Sequence, residues 1–310
     1  MTGIPFIRDM TFEYGRCDRL SPRIRRVVAR NPGSFTLTGT STYIVGHGEV
    51  ALIDPGPMLA EHEAALLDAL EGERVTHVFV SHHHLDHSPL AHPIARRFAA
   101  EVCGYGPSRH APTGGELRLE AGDDIGFQPD RRIADGEIFR GPDWTIEALH
   151  TPGHTSNHMG YALSEENVFF CGDHVMAWST SVVTPPDGHM GQYLEQLERI
   201  RQRGFERLWP SHGPAVEDPD TFLQAYIAHR LRREAQILEH LEAGASSIQS
   251  LVARMYADID RRLHPAAALS VLAHLIRLME CGKIGCSGQP GLAGIYWLEA
   301  QRDAIEGAGS

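Results

Sequence analysis

Positions 82 to 87 read His-His-His-Leu-Asp-His, four histidines and one aspartate within six residues. Imidazole nitrogens and carboxylate oxygens suit a borderline divalent ion such as Zn2+. The cluster directly follows Val75 to Ser81 (VTHVFVS), a short apolar run with the composition of a buried strand. In extended backbone, residues i and i+2 point the same way, so His82 and His84 can converge on one ion. The chain must then turn, and Asp86 and His87 can face a second ion nearby. His83 points the other way and is not expected to be a ligand. The competing reading is a histidine-rich surface loop, or core histidines satisfied by carbonyls. The density of the cluster, and its place at a strand end, weigh against it.

Three further fragments can complete such a site. His150-Thr151-Pro152-Gly153-His154-Thr155 follows a strand pattern at Thr145 to Leu149. Gly172-Asp173 follows Val168 to Cys171, and Pro210-Ser211-His212-Gly213 follows Arg207 to Trp209. Each puts one donor at a strand end, where α/β proteins gather functional groups. Singly each is commonplace. Together with the first motif they form a candidate metal set of His82, His84, Asp86, His87, His154, Asp173 and His212.

These ligands need a scaffold of strands. Thr40 to Asp54 reads as two strands around Gly46-His47-Gly48, stopped by Pro55-Gly56-Pro57. Helical patterns cover Glu61 to Leu70, Pro89 to Ala99 and Tyr193 to Arg203, with a short strand at Val102 and Cys103. Residues 110 to 143 are broken by Gly and Pro and read as short strands and loops. Strands alternating with helices mean an α/β architecture. Composition changes near Glu217 to Asp220, and three helix patterns follow. The first runs to about Leu241. The second starts at Ser246 and Gln249, which have capping-box spacing. The third has Pro265 in its first turn and ends at Gly282. Ile284 and Ile295 to Leu298 then flank a Gly/Pro-rich turn. Three helices and a hairpin are the layout of a winged helix, so two domains are expected, 1–219 and 220–310.

The ordered set HxHxDH, then a distant His, Asp and His, resembles the metallo-β-lactamase superfamily. The resemblance implies an αββα sandwich with two metals between the sheet edges. His82, His84 and His154 would hold one, Asp86, His87 and His212 the other, and Asp173 would bridge them. His84 stands where flavodiiron oxygen reductases carry glutamate, which disfavours a redox di-iron role. Asp173 stands where β-lactam-hydrolysing members have Cys or Ser. That makes the site more similar to glyoxalase II, lactonases and nucleases. Arg25-Arg26-Val27 through Asn31-Pro32-Gly33, Gly39-Thr40-Ser41-Thr42-Tyr43, Ala228-His229-Arg230 and the C-terminal winged helix resemble the β-lactamase-like protein 2 branch.

The resemblance implies a hydrolase in which two divalent ions, zinc foremost and Mn2+ or Fe2+ tolerated by the same ligands, share a bridging hydroxide. Asp86 and Asp173 are the residues expected to act in catalysis, Asp86 by orienting the hydroxide. No leaving-group acid is identified; His158 and His174 lie near ligands and read as supporting residues. Tyr43, Phe127 and Trp178 read as core aromatics, with a substrate pocket as their alternative role.

Composition narrows the activity. The formal net charge is −12, which argues against a large nucleic-acid surface. Arg16, Arg19, Arg23, Arg25, Arg26 and Arg30 form a basic stretch that either attracts phosphate or pairs with the acidic body, the latter favoured. The third C-terminal helix has only Arg277 as a basic residue and no Asn or Gln for base readout, although Arg261, Arg262 and Lys283 flank it. This unit is therefore expected to serve packing, pocket closure or homodimer formation. The five cysteines are scattered and form no CxxC pair. No run reaches the roughly 18 apolar residues of a membrane span, and Met1 to Asp9 lacks a signal-peptide pattern, so a cytoplasmic protein is expected. The leading expectation is a small-molecule hydrolase acting on an ester, thioester or lactone. A single-strand endoribonuclease and a winged-helix regulator with a vestigial metal site are the alternatives.

Overall fold

A computed structural model describes residues 3–108, 122–257 and 260–303 of the chain. Among these, seven strands form a first sheet in chain order: β1 (Cys17–Arg19), β2 (Ile24–Val28), β3 (Ser41–Val45), β4 (Glu49–Ile53), β5 (Arg74–Phe79), β6 (Glu101–Gly104) and β7 (Arg131–Arg132). A second sheet has β8 (Glu137–Arg140), β9 (Thr145–His150), β10 (Met159–Leu163), β11 (Val168–Gly172) and β12 (Arg207–Pro210) in the order β12-β11-β10-β9-β8. Helices α1 (Ala60–Ala69) and α2 (Ala91–Phe98) cover the first sheet, and α3 (Met190–Gln202) and α4 (Pro219–Glu242) the second. The layers are therefore αββα. Part of the Gly/Pro-broken 110–143 stretch lies outside the described residues; the remainder contains β7 and β8.

Alternation explains why both sheets are buried twice. On β3 and β4, Tyr43, Val45, Ala51 and Ile53 face the inter-sheet core, while Ile44, Val50 and Leu52 face α1 and α2. On β11, Val168 and Phe170 point inward, while Phe169 and Cys171 meet α3 and α4. Strands with helices on their outer face and a second sheet on their inner face read as continuous apolar runs. The strand β10 (MGYAL) was not expected, because Gly and Ala give it weak strand composition. Tertiary pairing makes it: β10 lies antiparallel between β9 and β11. A Cβ at Gly160 would lie 2.0 Å from the Phe169 ring, so the glycine admits that ring.

Strand direction decides where the functional loops emerge. β4 and β5 are parallel, so Asp54 and the His82 cluster leave the first sheet at one edge. β9 and β11 both run antiparallel to β10, and β11 is parallel to β12. His154, Asp173 and His212 therefore leave the second sheet at one edge too. Cross-sheet bonds bring the edges together: Tyr43 Oη donates to Pro210 O (2.6 Å), Tyr161 Oη to Val80 O (2.7 Å) and Met159 N to Ser81 O (2.7 Å).

The C-terminal part has its own core, built from α4, α5 (Ile248–Met255), α6 (His264–Glu280) and the small sheet of β13 (Ser246–Ser247), β14 (Ile284–Cys286) and β15 (Ile295–Leu298). Ser247, one residue later than the expected cap, accepts from Ser250 N at 3.2 Å and starts α5. α4 starts at a capping Asp218 with Pro219 in its first turn. Its first half packs Phe222, Leu223 and Tyr226 on the second sheet, and its second half puts Ile237 and Leu241 in the winged-helix core. Arg277, the basic residue of α6, is turned to the buried Glu234 of α4.

Candidate metal centre

The four ligand-bearing loops meet at the common sheet edge. His82 Nε2 lies 2.9 Å from His84 Nδ1 and 3.3 Å from His154 Nε2. His212 Nε2 lies 3.2 Å from Asp86 Oδ2 and 3.4 Å from Asp173 Oδ2, and His87 Nε2 is 3.5 Å from both Asp86 Oδ1 and Asp173 Oδ2. Three triads have donors close enough to share an ion: His82/His84/His154, His82/His87/Asp173 and Asp86/His87/His212. The middle triad shares His82 with the first and His87 with the third, and adds Asp173 between them. All seven expected residues are buried.

Hydrogen bonds on the far side of each imidazole set the direction of its inner lone pair. The Ser81 hydroxyl donates its one proton to Asp54 Oδ2 (2.7 Å), so its oxygen accepts from His82 Nδ1 (2.9 Å). His87 Nδ1 meets Asp54 Oδ2 at 3.0 Å, His154 Nδ1 the carbonyl of Val182 at 2.8 Å, and His212 Nδ1 the carbonyl of Gly39 at 3.2 Å. His84 is reversed: its Nε2 faces Asp123 Oδ1 at 3.6 Å, which leaves Nδ1 for the interior. Five inner nitrogens therefore face the same space, four of them with the outer nitrogen already hydrogen-bonded.

His82 Nε2 and His84 Nδ1, 2.9 Å apart, either share a proton or face a common cation. Asp86 Oδ1, His87 Nε2 and Asp173 Oδ1 are buried with no hydrogen-bond partner among the described residues. Buried polar atoms are otherwise nearly always paired. The donor set, the tautomers and these orphaned atoms all fit divalent cations. Electrostatics agree. Burial and the neighbouring histidines push His82 and His84 far below the usual imidazole pKa, so both are neutral donors. Burial opposes charge on His212 as well, but Asp173 and Asp86 outweigh it and raise its pKa to about 10, so the carboxylates favour a positive charge here that a cation can supply in place of the proton. Burial is likewise outweighed at Asp86, whose pKa is held down to about 2 by His87 and His212.

Sequence reasoning missed Asp54. This fully buried carboxylate accepts from Ser81 N (2.7 Å), Ser81 Oγ (2.7 Å), His87 Nδ1 (3.0 Å) and Ser211 Oγ (3.0 Å). It thus sits behind both groups, next to His82 through Ser81 and next to His212 through Ser211. An acidic residue closing the apolar run Val50 to Ile53 was the available signal. It adopts φ 50°, a left-handed conformation that aspartate tolerates better than most residues. Asp123 was also missed; it faces both His83 Nε2 (3.3 Å) and His84. His83 turns its Nδ1 to Asn157 Oδ1 at 3.1 Å, away from the ligand atoms.

The neighbouring histidines have separate places. His158 Nδ1 meets Thr151 Oγ1 at 2.8 Å, and its Nε2 accepts from the backbone N of Asp173 at 3.1 Å. A Cβ at Gly172 would come 2.5 Å from that Nε2, so glycine, at φ 53°, lets His158 reach the chain beside Asp173. His174 is fully buried against Tyr193, and burial lowers its pKa to about 3. Tyr43 and Phe127 are core residues, whereas Trp178 is half-buried over Gly213, next to His212. The basic N-terminal stretch is largely paired: Arg25 with Glu73 (2.8 Å), Arg26 with Asp18 (3.1 Å), Arg16 with Glu13 (3.0 Å), and Arg30 with Glu61 (3.7 Å) and the Tyr14 ring.

Comparison with known proteins agrees with this architecture. Residues 35–212 match the family described as metallo-beta-lactamase superfamily, and residues 247–289 match the beta-lactamase associated winged helix domain. The chain is 30% identical over 272 residues to the lactamase-like protein ptaB of Pestalotiopsis fici, covering 84% of this chain and 80% of that one. It is 30% identical over 294 residues to an atrochrysone carboxyl ACP thioesterase of a Cryptosporiopsis species, covering 89% of this chain and 85% of that one. A beta-lactamase domain protein from Burkholderia ambifaria superposes with TM-score 0.79 at 20% identity, over 94% of this chain and 95% of that one.

Proposed function

The chain belongs to the metallo-beta-lactamase superfamily and is a hydrolase; from that premise we propose that it cleaves an acyl thioester. The observation that carries the reading is the pair of buried donor groups, linked by the triad His82/His87/Asp173, at the edge where the two sheets meet. His82, His84 and His154 are assigned to one divalent ion, Asp86, His87 and His212 to a second, and Asp173 to both. Zinc suits these donors. Such ions supply Lewis acidity and lower the pKa of a water molecule toward about 7.

The chain's own residues do the rest. Ser81, Asp54, Val182, Gly39 and Asp123 hold the five imidazoles with their lone pairs inward. Asp86 Oδ1 and Asp173 Oδ1, which accept no hydrogen bond among the described residues, are the acceptors on hand to orient the protons of an attacking water. Hydrolysis adds hydroxide to the carbonyl carbon and breaks the C–S bond, giving a carboxylate and a thiol. A thiol with a pKa near 8.5 leaves as thiolate without a strong acid. That matches the two candidate acids, because His158 and His174 are both held neutral by burial. A phosphodiester would expel a far more basic alkoxide. The pairing of Arg16, Arg25, Arg26 and Arg30 with acidic side chains also leaves them poorly placed to track RNA phosphates. A relative named as an acyl carrier protein thioesterase points to the same leaving group.

The test is turnover by metal-replete protein on a thioester panel and on labelled single-stranded RNA, each with and without chelator. Chelator-sensitive thioester cleavage with intact RNA is expected. Chelator-sensitive RNA cleavage with untouched thioesters would overturn the proposal.

A further inference from the structure

The segment from His174 to Thr184, between β11 and α3, contains neither helix nor strand. It nevertheless supplies the carbonyl of Val182, which receives Nδ1 of His154 at 2.8 Å. Its conformation must come from elsewhere, since it has no ladder of its own. Much of it comes from α4. Tyr226 and Arg230 lie four residues apart, on one helix face, and both are buried. Tyr226 Oη accepts from Met176 N (3.2 Å), donates to Met176 O (2.7 Å) and lies against Ser179 O. Arg230 Nη2 donates to Ser181 O, and its guanidinium lies over the Tyr193 ring at 5.2 Å. Ser181 Oγ and Tyr193 Oη in turn donate to His174 O, at 3.0 Å and 2.8 Å.

The link to the ligand is one peptide unit long. A peptide bond is planar, so fixing the Ser181 carbonyl also fixes the nitrogen and Cα of Val182. Only the φ and ψ rotations of Val182 then remain to aim the carbonyl that His154 uses. We propose that Arg230, with Tyr226, is a positioning residue of the metal centre: through Ser181 and Val182 it sets the ring orientation of His154. On this reading the helix that leads into the winged-helix unit is a working part of the site. The inference rests on the assignment of His154 as a metal ligand.

The experiment is a Zn2+ and Co2+ titration of metal-free protein against a competing chelator, read by metal content and by the visible absorption of bound cobalt. It compares wild type with Arg230→Met, Arg230→Lys, Tyr226→Phe and His154→Ala. Arg230→Met should weaken one of the two ions roughly tenfold and change its cobalt spectrum, leaving the other ion as in wild type. Arg230→Lys, which keeps a donor, should recover part of that loss. Tyr226→Phe, which keeps the buried ring, should weaken the same ion and serves if Arg230→Met does not fold. Wild-type binding in Tyr226→Phe and in Arg230→Met where that variant folds, or equal weakening of both ions in every variant, would overturn the inference while His154→Ala still loses one ion. If His154→Ala keeps both ions at full affinity, the ligand assignment itself fails.

Discussion

Asp54→Asn changes one oxygen to an amide nitrogen at the point where four donors converge. One orientation of the amide keeps the oxygen against Ser81 N and turns its NH2 toward His87 Nδ1, Ser81 Oγ and Ser211 Oγ. The two hydroxyls can rotate to accept. His87 can accept only by moving its proton from Nδ1 to Nε2, the atom that faces Asp86 and Asp173. The other orientation sets the NH2 against the Ser81 backbone N–H, which cannot rotate away. Either way a charge-assisted hydrogen bond worth about 1.5–3 kcal/mol is lost. Translated to binding, about 1.4 kcal/mol is a factor of ten, so metal affinity should fall by roughly 10- to 100-fold, the range usual for outer partners of ligands. The assay is chelator competition for Zn2+, with thioester turnover measured at rising free zinc. Turnover should fall at low zinc and recover in part as zinc is raised. Wild-type affinity and turnover in Asp54→Asn would refute the argument that this carboxylate holds the His87 tautomer.

Two substitutions probe neighbouring parts of the site. His84→Ala removes a donor 2.9 Å from His82 Nε2, and bound metal and hydrolysis should fall together; retention of both would remove His84 from the ligand set. Gly172→Ala places a Cβ 2.5 Å from His158 Nε2 at a positive φ, so it should cost about 1–3 kcal/mol from backbone strain and displaced contacts. The expected readouts are a lower thermal midpoint and slower turnover, because the same backbone carries Asp173. An unchanged midpoint and rate would show that His158 moves aside without consequence.

The residues that can meet an ion were legible in the sequence because their logic is local. An apolar run ends, donors follow, and extended backbone puts His82 and His84 on one side. The α/β alternation and the helical stripes after Asp220 were legible for the same reason: each follows from periodicity over a few turns or strands. Tertiary structure decided what lies behind the ligands. The acceptors that set the imidazole tautomers come from far away in the chain, 33 residues for His87 with Asp54 and 173 residues for His212 with Gly39. No window of sequence contains such a pair. β10 escaped notice because its glycine is there for a neighbour's ring, not for the strand itself. The ion pairs of the N-terminal arginines likewise depend on where Glu73, Asp18 and Glu61 arrive in space. Donor types and spacing are properties of the chain. Their orientation and charge depend on groups that only folding brings within hydrogen-bonding distance.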